Sequence, residues 1–166
     1  MDDNTVGTLI QINISEGGVP KLPIERAVVE VLGVVGDRHR SSEHGGPDRA
    51  VCLFSSDLVE QLRAEGHPIE SGSTGENFTV AGLEWSSIVP SVRIRVGQDV
   101  VLEVTSYTTP CQNIADSFQE RKIARISQKV NPGESRVYAR VLETGVVQTG
   151  DTVSVANETP VESAAS

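Results

Sequence analysis

The stretch Val92-Arg93-Ile94-Arg95-Val96-Gly97-Gln98-Asp99-Val100-Val101-Leu102-Glu103-Val104-Thr105-Ser106-Tyr107 decides the fold class of this chain. Two runs rich in β-branched residues, Val92 to Val96 and Val100 to Tyr107, flank the turn Gly97-Gln98-Asp99. Branching at Cβ stiffens χ1 and suits a pleated strand, while Gly and Asp supply turn geometry. The same punctuation recurs outward in both directions. Val6 to Ile14, Arg26 to Leu32, Ala50 to Phe54, Arg136 to Leu142 and Thr152 to Val155 are further strand candidates. Turns at Gly17-Gly18, Gly36-Asp37 and Gly150-Asp151 separate them. Within Val6 to Ile14 the alternation runs through Ile10, Ile12 and Ile14, and Leu9 breaks its phase. Val, Ile and Thr make up about 27% of the residues, against nine Leu. Many short strands at this spacing predict a mainly β fold, a barrel or sandwich.

Three helices are predicted among the strands. Ser56 caps Asp57 to Glu65, whose Leu58, Val59 and Leu62 share a face, and Gly66 ends it. Thr109-Pro110-Cys111-Gln112 reads as a capping box, with Thr109 at N-cap, Pro110 at N1 and Cys111 at N2. Ser117-Phe118-Gln119-Glu120 repeats the box, and Ile123, Ile126 and Val130 follow at helical spacing to Asn131-Pro132-Gly133. Arg121, Lys122, Arg125 and Lys129 form the solvated face of that helix.

With 166 residues, 37% of them apolar, and 15 glycines, the chain falls in the ordinary globular range and can bury a core without staples. Disorder and a collagen-like fibre are excluded. No apolar run approaches a bilayer span; the longest, Ala27 to Val35, is interrupted by Glu30. The start Met1-Asp2-Asp3-Asn4 lacks the basic and apolar regions of a signal peptide, so a cytoplasmic domain is expected. A net charge of −9 argues against nucleic acid as a partner but leaves room for one small phosphate. Two cysteines, Cys52 and Cys111, are too few for a disulfide framework or a four-thiolate metal site. Residues 1–156 read as one domain, and 157–166, polar and small, as a disordered tail.

Cys111 is the sharpest chemical signal. At N2 of a helix its sulfur would meet free N–H groups and the helix dipole, which favour a thiolate as nucleophile or soft-metal ligand. The alternative is a small buried hydrophobe. Cys52, amid Ala50-Val51-Cys52-Leu53-Phe54, reads as core filler. Gly36-Asp37-Arg38-His39-Arg40 and His44-Gly45-Gly46-Pro47-Asp48-Arg49 combine glycines with arginine forks suited to oxyanions, or form a turn held by Asp37 and Asp48. Zinc on His39, His44 and Cys111 is conceivable by ligand type, though the spacing matches no strong motif. Gly72-Ser73-Thr74-Gly75-Glu76-Asn77 precedes a strand rather than a helix and lacks the Lys-Ser/Thr of a P-loop, so it reads as a structural loop.

Taken in order, these segments resemble the MOSC family, found at the C-terminus of molybdenum-cofactor sulfurases and as stand-alone bacterial proteins. The matching residues are Gly36-Asp37-Arg38-His39, His44-Gly45-Gly46-Pro47-Asp48-Arg49-Ala50-Val51, Gly75-Glu76-Asn77-Phe78-Thr79 and Gly82-Leu83. Glu103-Val104-Thr105, Pro110-Cys111, Tyr138-Ala139-Arg140-Val141-Leu142 and Gly150-Asp151-Thr152-Val153 complete the set. The resemblance implies a closed, mostly antiparallel β-barrel with a few short helices. It also implies that Cys111 ligates the molybdenum of a pterin-dithiolene cofactor (molybdopterin) or carries sulfur. Lys21 and Arg38 would then hold the cofactor phosphate, with His39, Arg49 and Asn77 lining the same pocket. Thr108 and Thr109 stand where relatives often carry Arg, and their hydroxyls would hydrogen-bond phosphate or the metal's oxo groups.

Three functions follow from the resemblance. The first is a molybdenum-dependent oxidoreductase reducing N-hydroxylated compounds, with Cys111 catalytic and electrons from a separate donor protein. The second is a sulfur carrier using a Cys111 persulfide, and the third a non-enzymatic cofactor carrier. Pyridoxal phosphate is disfavoured, because only Lys21, Lys122 and Lys129 could form a Schiff base. No membrane partner is expected.

Overall fold

The computed structural model describes residues 5–38 and 46–156. Eleven strands and one α-helix run in chain order. They are β1 (Val6–Ile14), β2 (Leu22–Ile24), β3 (Arg26–Glu30), β4 (Gly33–Val34), β5 (Val51–Ser55), α1 (Ser56–Ala64) and β6 (Phe78–Ala81). After them come β7 (Arg93–Val96), β8 (Val100–Tyr107), β9 (Val137–Glu143), β10 (Gly145–Gln148) and β11 (Thr152–Ala156). The main sheet runs β11-β7-β8-β9-β5-β6-β1-β2, and β11 pairs back onto β1. Seven strands thus close into the expected barrel, with β2 added at one side. Every pairing in it is antiparallel except β5 with β6. A smaller sheet, β10-β3-β4, joins the same core through Ala27, Val29, Val34 and Val147.

Strand alternation builds the core. β7 places Ile94 and Val96 inward and Arg93 and Arg95 outward, and β8 pairs with it from Val96↔Val100 to Arg93↔Glu103. Leu9, Ile12, Leu53, Phe54, Phe78, Ile94 and Leu102 are fully buried, each contributing about 1.5–3 kcal/mol through the water it sheds.

The predicted alternation in β1 is corrected. Leu9 is buried and Ile10 is 41% exposed, because the register against β6 shifts between Leu9 and Gln11. A bulge there turns Leu9 and Ile12 to the same interior. Arg26 to Leu32 shortens to β3, since Val31 and Leu32 form an exposed turn into Gly33. A Cβ on Gly33 would sit 2.4 Å from the Ala50 carbonyl oxygen, so only glycine lets β4 approach the residue that leads into β5.

The helices also differ from the pattern. Ser55, not Ser56, caps α1: its backbone is extended and its hydroxyl accepts the Leu58 N–H at 3.1 Å. Leu58, Val59 and Leu62 form the buried face as read. The long helix predicted from Ser117 is absent. Short 3-10 turns, Gln119–Arg121 and Ile123–Ile126, take its place, interrupted by positive φ at Glu120 (53°) and Arg121 (58°). Long-range contacts outweigh local periodicity there. The Gln119 N–H donates to His67 Nδ1 at 3.1 Å, and Phe118 packs edge-on against the His67 ring. Arg125 is not on a solvated face either; it bridges Glu65 at 2.9 Å and Glu134 at 2.5 Å. Among the described residues no helix is long and apolar enough to cross a membrane. The predicted tail, 157–166, lies outside the described residues, as do His39 and His44.

Candidate functional site

The β8–β9 pair leads into the site. One rung beyond Tyr107 and Val137, the Thr108 N–H donates to the Arg136 carbonyl at 2.9 Å. That rung carries the sheet pairing past the end of β8. Cys111 is still extended (φ −134°, ψ 169°) when a 3-10 helix, Gln112–Ser117, begins. Cys111 therefore sits at N-cap rather than N2, and no side chain caps that helix. The capping box at Thr109 does not form. What recommends Cys111 is position instead: its thiol is half-buried and lines a cleft of about 670 Å³, open mouth included.

The cleft gathers Lys21, Arg38, Arg49, Asn77, Thr108, Thr109 and Cys111, residues separated by up to 90 positions in sequence. Their states differ. Both Asp37 carboxylate oxygens accept from Lys21 Nζ, at 2.8 and 2.6 Å, with the Lys21 and Asp37 side chains 8% and 2% exposed. The charge expected to meet a phosphate is thus already opposed by Asp37. Asn77 Oδ1 accepts the Cys52 N–H at 3.0 Å, while its Nδ2 donates to the Asn13 carbonyl and to Asp37. Its amide positions Asp37 and β5, so the expected amide contacts to a pterin would compete with bonds already made. Asp37 also accepts the Ser15 N–H at 2.9 Å, the turn-holding role read from the sequence. Asp48 instead accepts from Arg140 at 3.1 Å.

Arg38 and Arg49 are exposed, and the Arg49 guanidinium lies 5.3 Å from the centre of the Tyr138 ring, a cation–π distance. Burial pushes the Tyr138 phenol up to about 12, so it stays a neutral donor at neutral pH. Cys52 is buried as expected, yet it belongs to the cleft wall, with its sulfur 3.8 Å from the Thr108 hydroxyl. Burial pushes its thiol up as well, so Cys52 stays protonated. Among the described residues no cluster of three His, Cys, Asp or Glu could hold a metal ion.

The MOSC domain profile matches residues 40–154 of the chain. The chain belongs to the MOSC family.

Other proteins resemble the chain in sequence or in fold. A protein of Gibberella moniliformis described as a reductase is 32% identical over 127 residues, covering 74% of this chain but 22% of its own length. YflK of Bacillus subtilis is 31% identical over 140 residues, covering 81% and 61% respectively. This chain therefore spans less than two thirds of either relative. The crystal structure of Bacillus subtilis YuaD superposes with a TM-score of 0.75 over 93% of this chain and 97% of that one, at 16% identity. That likeness is one of fold.

In this MOSC barrel the residue that sequence reading missed is Arg136. It is 5% exposed, lines the same cleft, and donates from Nη1 to the Thr74 carbonyl at 2.6 Å. Strand alternation puts it on the face of Tyr138 and Arg140, but nothing local distinguishes it from a surface arginine. The Gly72–Asn77 loop, read as structural, also lends Thr74, Gly75 and Asn77 to the cleft. Buried Glu76 accepts from the Gly72 N–H and from the Thr74 and Thr79 hydroxyls, which fixes the loop as one cleft wall.

Proposed function

We propose that the cleft binds the molybdenum cofactor through the Cys111 thiolate and that the protein reduces N-hydroxylated compounds. The observation that carries this reading is the half-buried Cys111 thiol opening into a cleft that also holds three arginines, Arg38, Arg49 and Arg136. The donor set fits such a group. A soft thiolate suits the metal, and guanidinium groups and the Thr108 and Thr109 hydroxyls suit anionic oxygens. Buried Nε and Nη2 atoms of Arg136 without partners among the described residues further favour an anionic occupant.

When bound, the cofactor supplies two-electron oxygen-atom chemistry, which no side chain of this barrel offers. The chain supplies binding and orientation. Cys111 offers the exchangeable thiolate, whereas Cys52, kept protonated by burial, does not compete as ligand. Exposed Arg38 and Arg49 would hold the phosphate, because Lys21 is opposed by Asp37. Neutral Tyr138 can donate a hydrogen bond beside the reacting group. Reduction of an N-hydroxyl group consumes two electrons and two protons and releases water and the amine. The electrons come from a separate donor protein.

The deciding experiment is elemental analysis of protein made in a molybdopterin-competent host, followed by turnover of an N-hydroxylated substrate with a chemical reductant. Near-stoichiometric molybdenum with turnover supports the proposal. Molybdenum without turnover leaves a cofactor carrier. Absent molybdenum together with a reductant-labile mass gain of one sulfur on the Cys111 peptide would establish the sulfur carrier instead.

A further inference from the structure

Arg136 is buried with most of its hydrogen-bonding capacity unused among the described residues. Nη1 donates to the Thr74 carbonyl, while Nε and Nη2 have no partner among the described residues. Those two nitrogens share one edge of the planar guanidinium, the edge that grips two oxygens of a single acceptor side-on. Holding a guanidinium out of water with that edge empty is costly, because a buried charge needs both a counter-charge and hydrogen bonds. No carboxylate among the described residues hydrogen-bonds to that edge. Glu76, two residues along from Thr74, is taken up by the Gly72 N–H and by two threonine hydroxyls. Tyr138 and Cys52, which line the cleft with Arg136, are both held neutral at neutral pH. Rotation away is also restricted, since Nη1 is pinned and the Arg136 carbonyl is tied to Thr108.

We propose that Arg136 is the anchor of an oxyanion subsite in the cleft, taking a ligand that presents two anionic oxygens, a carboxylate or a phosphate-type group, to its Nε–Nη2 edge. Unlike exposed Arg38 and Arg49, Arg136 is buried, and the subsite stands whether or not Cys111 holds a metal. Its ligand would be a substrate or cofactor acid entering beside the thiol, oriented by a fork rather than by a point charge.

The test uses the full chain without cofactor, titrated with inorganic phosphate, sulfate and acetate at constant ionic strength. Calorimetry and the thermal midpoint report binding, and the alkylation rate of Cys111 by neutral iodoacetamide reports occupancy of the cleft. The expected result is saturable binding of at least one anion, a raised midpoint and slower alkylation. Arg136→Lys keeps the charge and removes the fork, so affinity should fall roughly tenfold or more. Arg136→Gln should abolish binding. Acetate binding alone identifies a carboxylate site, phosphate or sulfate alone a tetrahedral one, and both together recognition by the edge itself. If no anion binds the wild-type chain at tens of millimolar, or if Arg136→Lys binds as tightly as wild type, the subsite is refuted. The wild-type titration decides the matter even if Arg136→Gln fails to fold.

Discussion

Lys21 and Asp37 meet at 2.6 Å with both side chains buried, one on the segment after β1 and the other on the segment after β4. Asp37 also accepts from the Ser15 N–H and Asn77 Nδ2, so one carboxylate ties three segments of chain to the cleft wall. Gly72 closes the same junction. Its carbonyl accepts the Lys21 N–H at 2.9 Å, and a Cβ there would lie 2.5 Å from the Lys21 carbonyl oxygen.

Asp37→Ala should therefore be among the most destabilising single changes in the protein. It leaves a buried ammonium and orphans two donors, a loss of about 3–5 kcal/mol. Lys21→Met should cost less, because Asp37 keeps its hydrogen bonds to Ser15 and Asn77. Urea midpoints of the two variants check the order. Equal, small losses would mean that the pair is open to water.

The two cysteines should separate cleanly. Cys111→Ser, at a half-buried N-cap, should change stability by less than about 1 kcal/mol, since serine is a good N-cap residue. The same change should end molybdenum retention and turnover, because a hydroxyl stays protonated and is a hard donor. Cys52→Ser puts a hydroxyl into the buried wall and should cost about 1–3 kcal/mol while leaving Cys111 alkylation intact. Melting curves, metal content and activity per folded molecule distinguish them.

Acid stability should carry a signature of Glu65. The hydrogen bond from Arg125 holds its carboxyl down at about 2, against 4.5 for the free group. With the folded value below the unfolded one, the unfolded chain binds more protons between these limits, so stability falls as pH drops from about 4.5 through about 2. The Glu65 side chain is 39% exposed, and solvent screening reduces the contribution to about 1 kcal/mol. Arg125→Met should flatten this limb of the pH–stability curve. An unchanged slope in urea titrations at pH values across the window would assign the acid transition elsewhere.

The start of α1 offers a local check. Ser55→Ala removes the hydroxyl that accepts the Leu58 N–H and should cost about 0.5–2 kcal/mol. Ser56→Ala, already inside the helix, should lie within about 0.5 kcal/mol of wild type. Denaturant midpoints for the pair place the cap.

What the sequence determined by itself is what neighbouring residues settle among themselves. Val100 to Tyr107 reads as a strand and is one, residue for residue, because the stiffness that β-branching imposes acts within the strand. The apolar face of α1 follows in the same way from Leu58, Val59 and Leu62 at helical spacing. The closed barrel was legible through the resemblance carried by the ordered turns and the Pro-Cys pair. Tertiary structure decided wherever a distant partner outbid the local preference. The bulge that turns Leu9 inward exists through pairing with β6, and the left-handed residues at Glu120 and Arg121 accompany contacts to His67. Cys111 stays extended beyond a rung of hydrogen bonding between Thr108 and Arg136, so its value lies in the cleft and not in a helix terminus. Arg136 is the fullest case. It is buried against Thr74, 62 positions away, with one edge unused among the described residues, and no pattern at the start of β9 encodes a contact of that range.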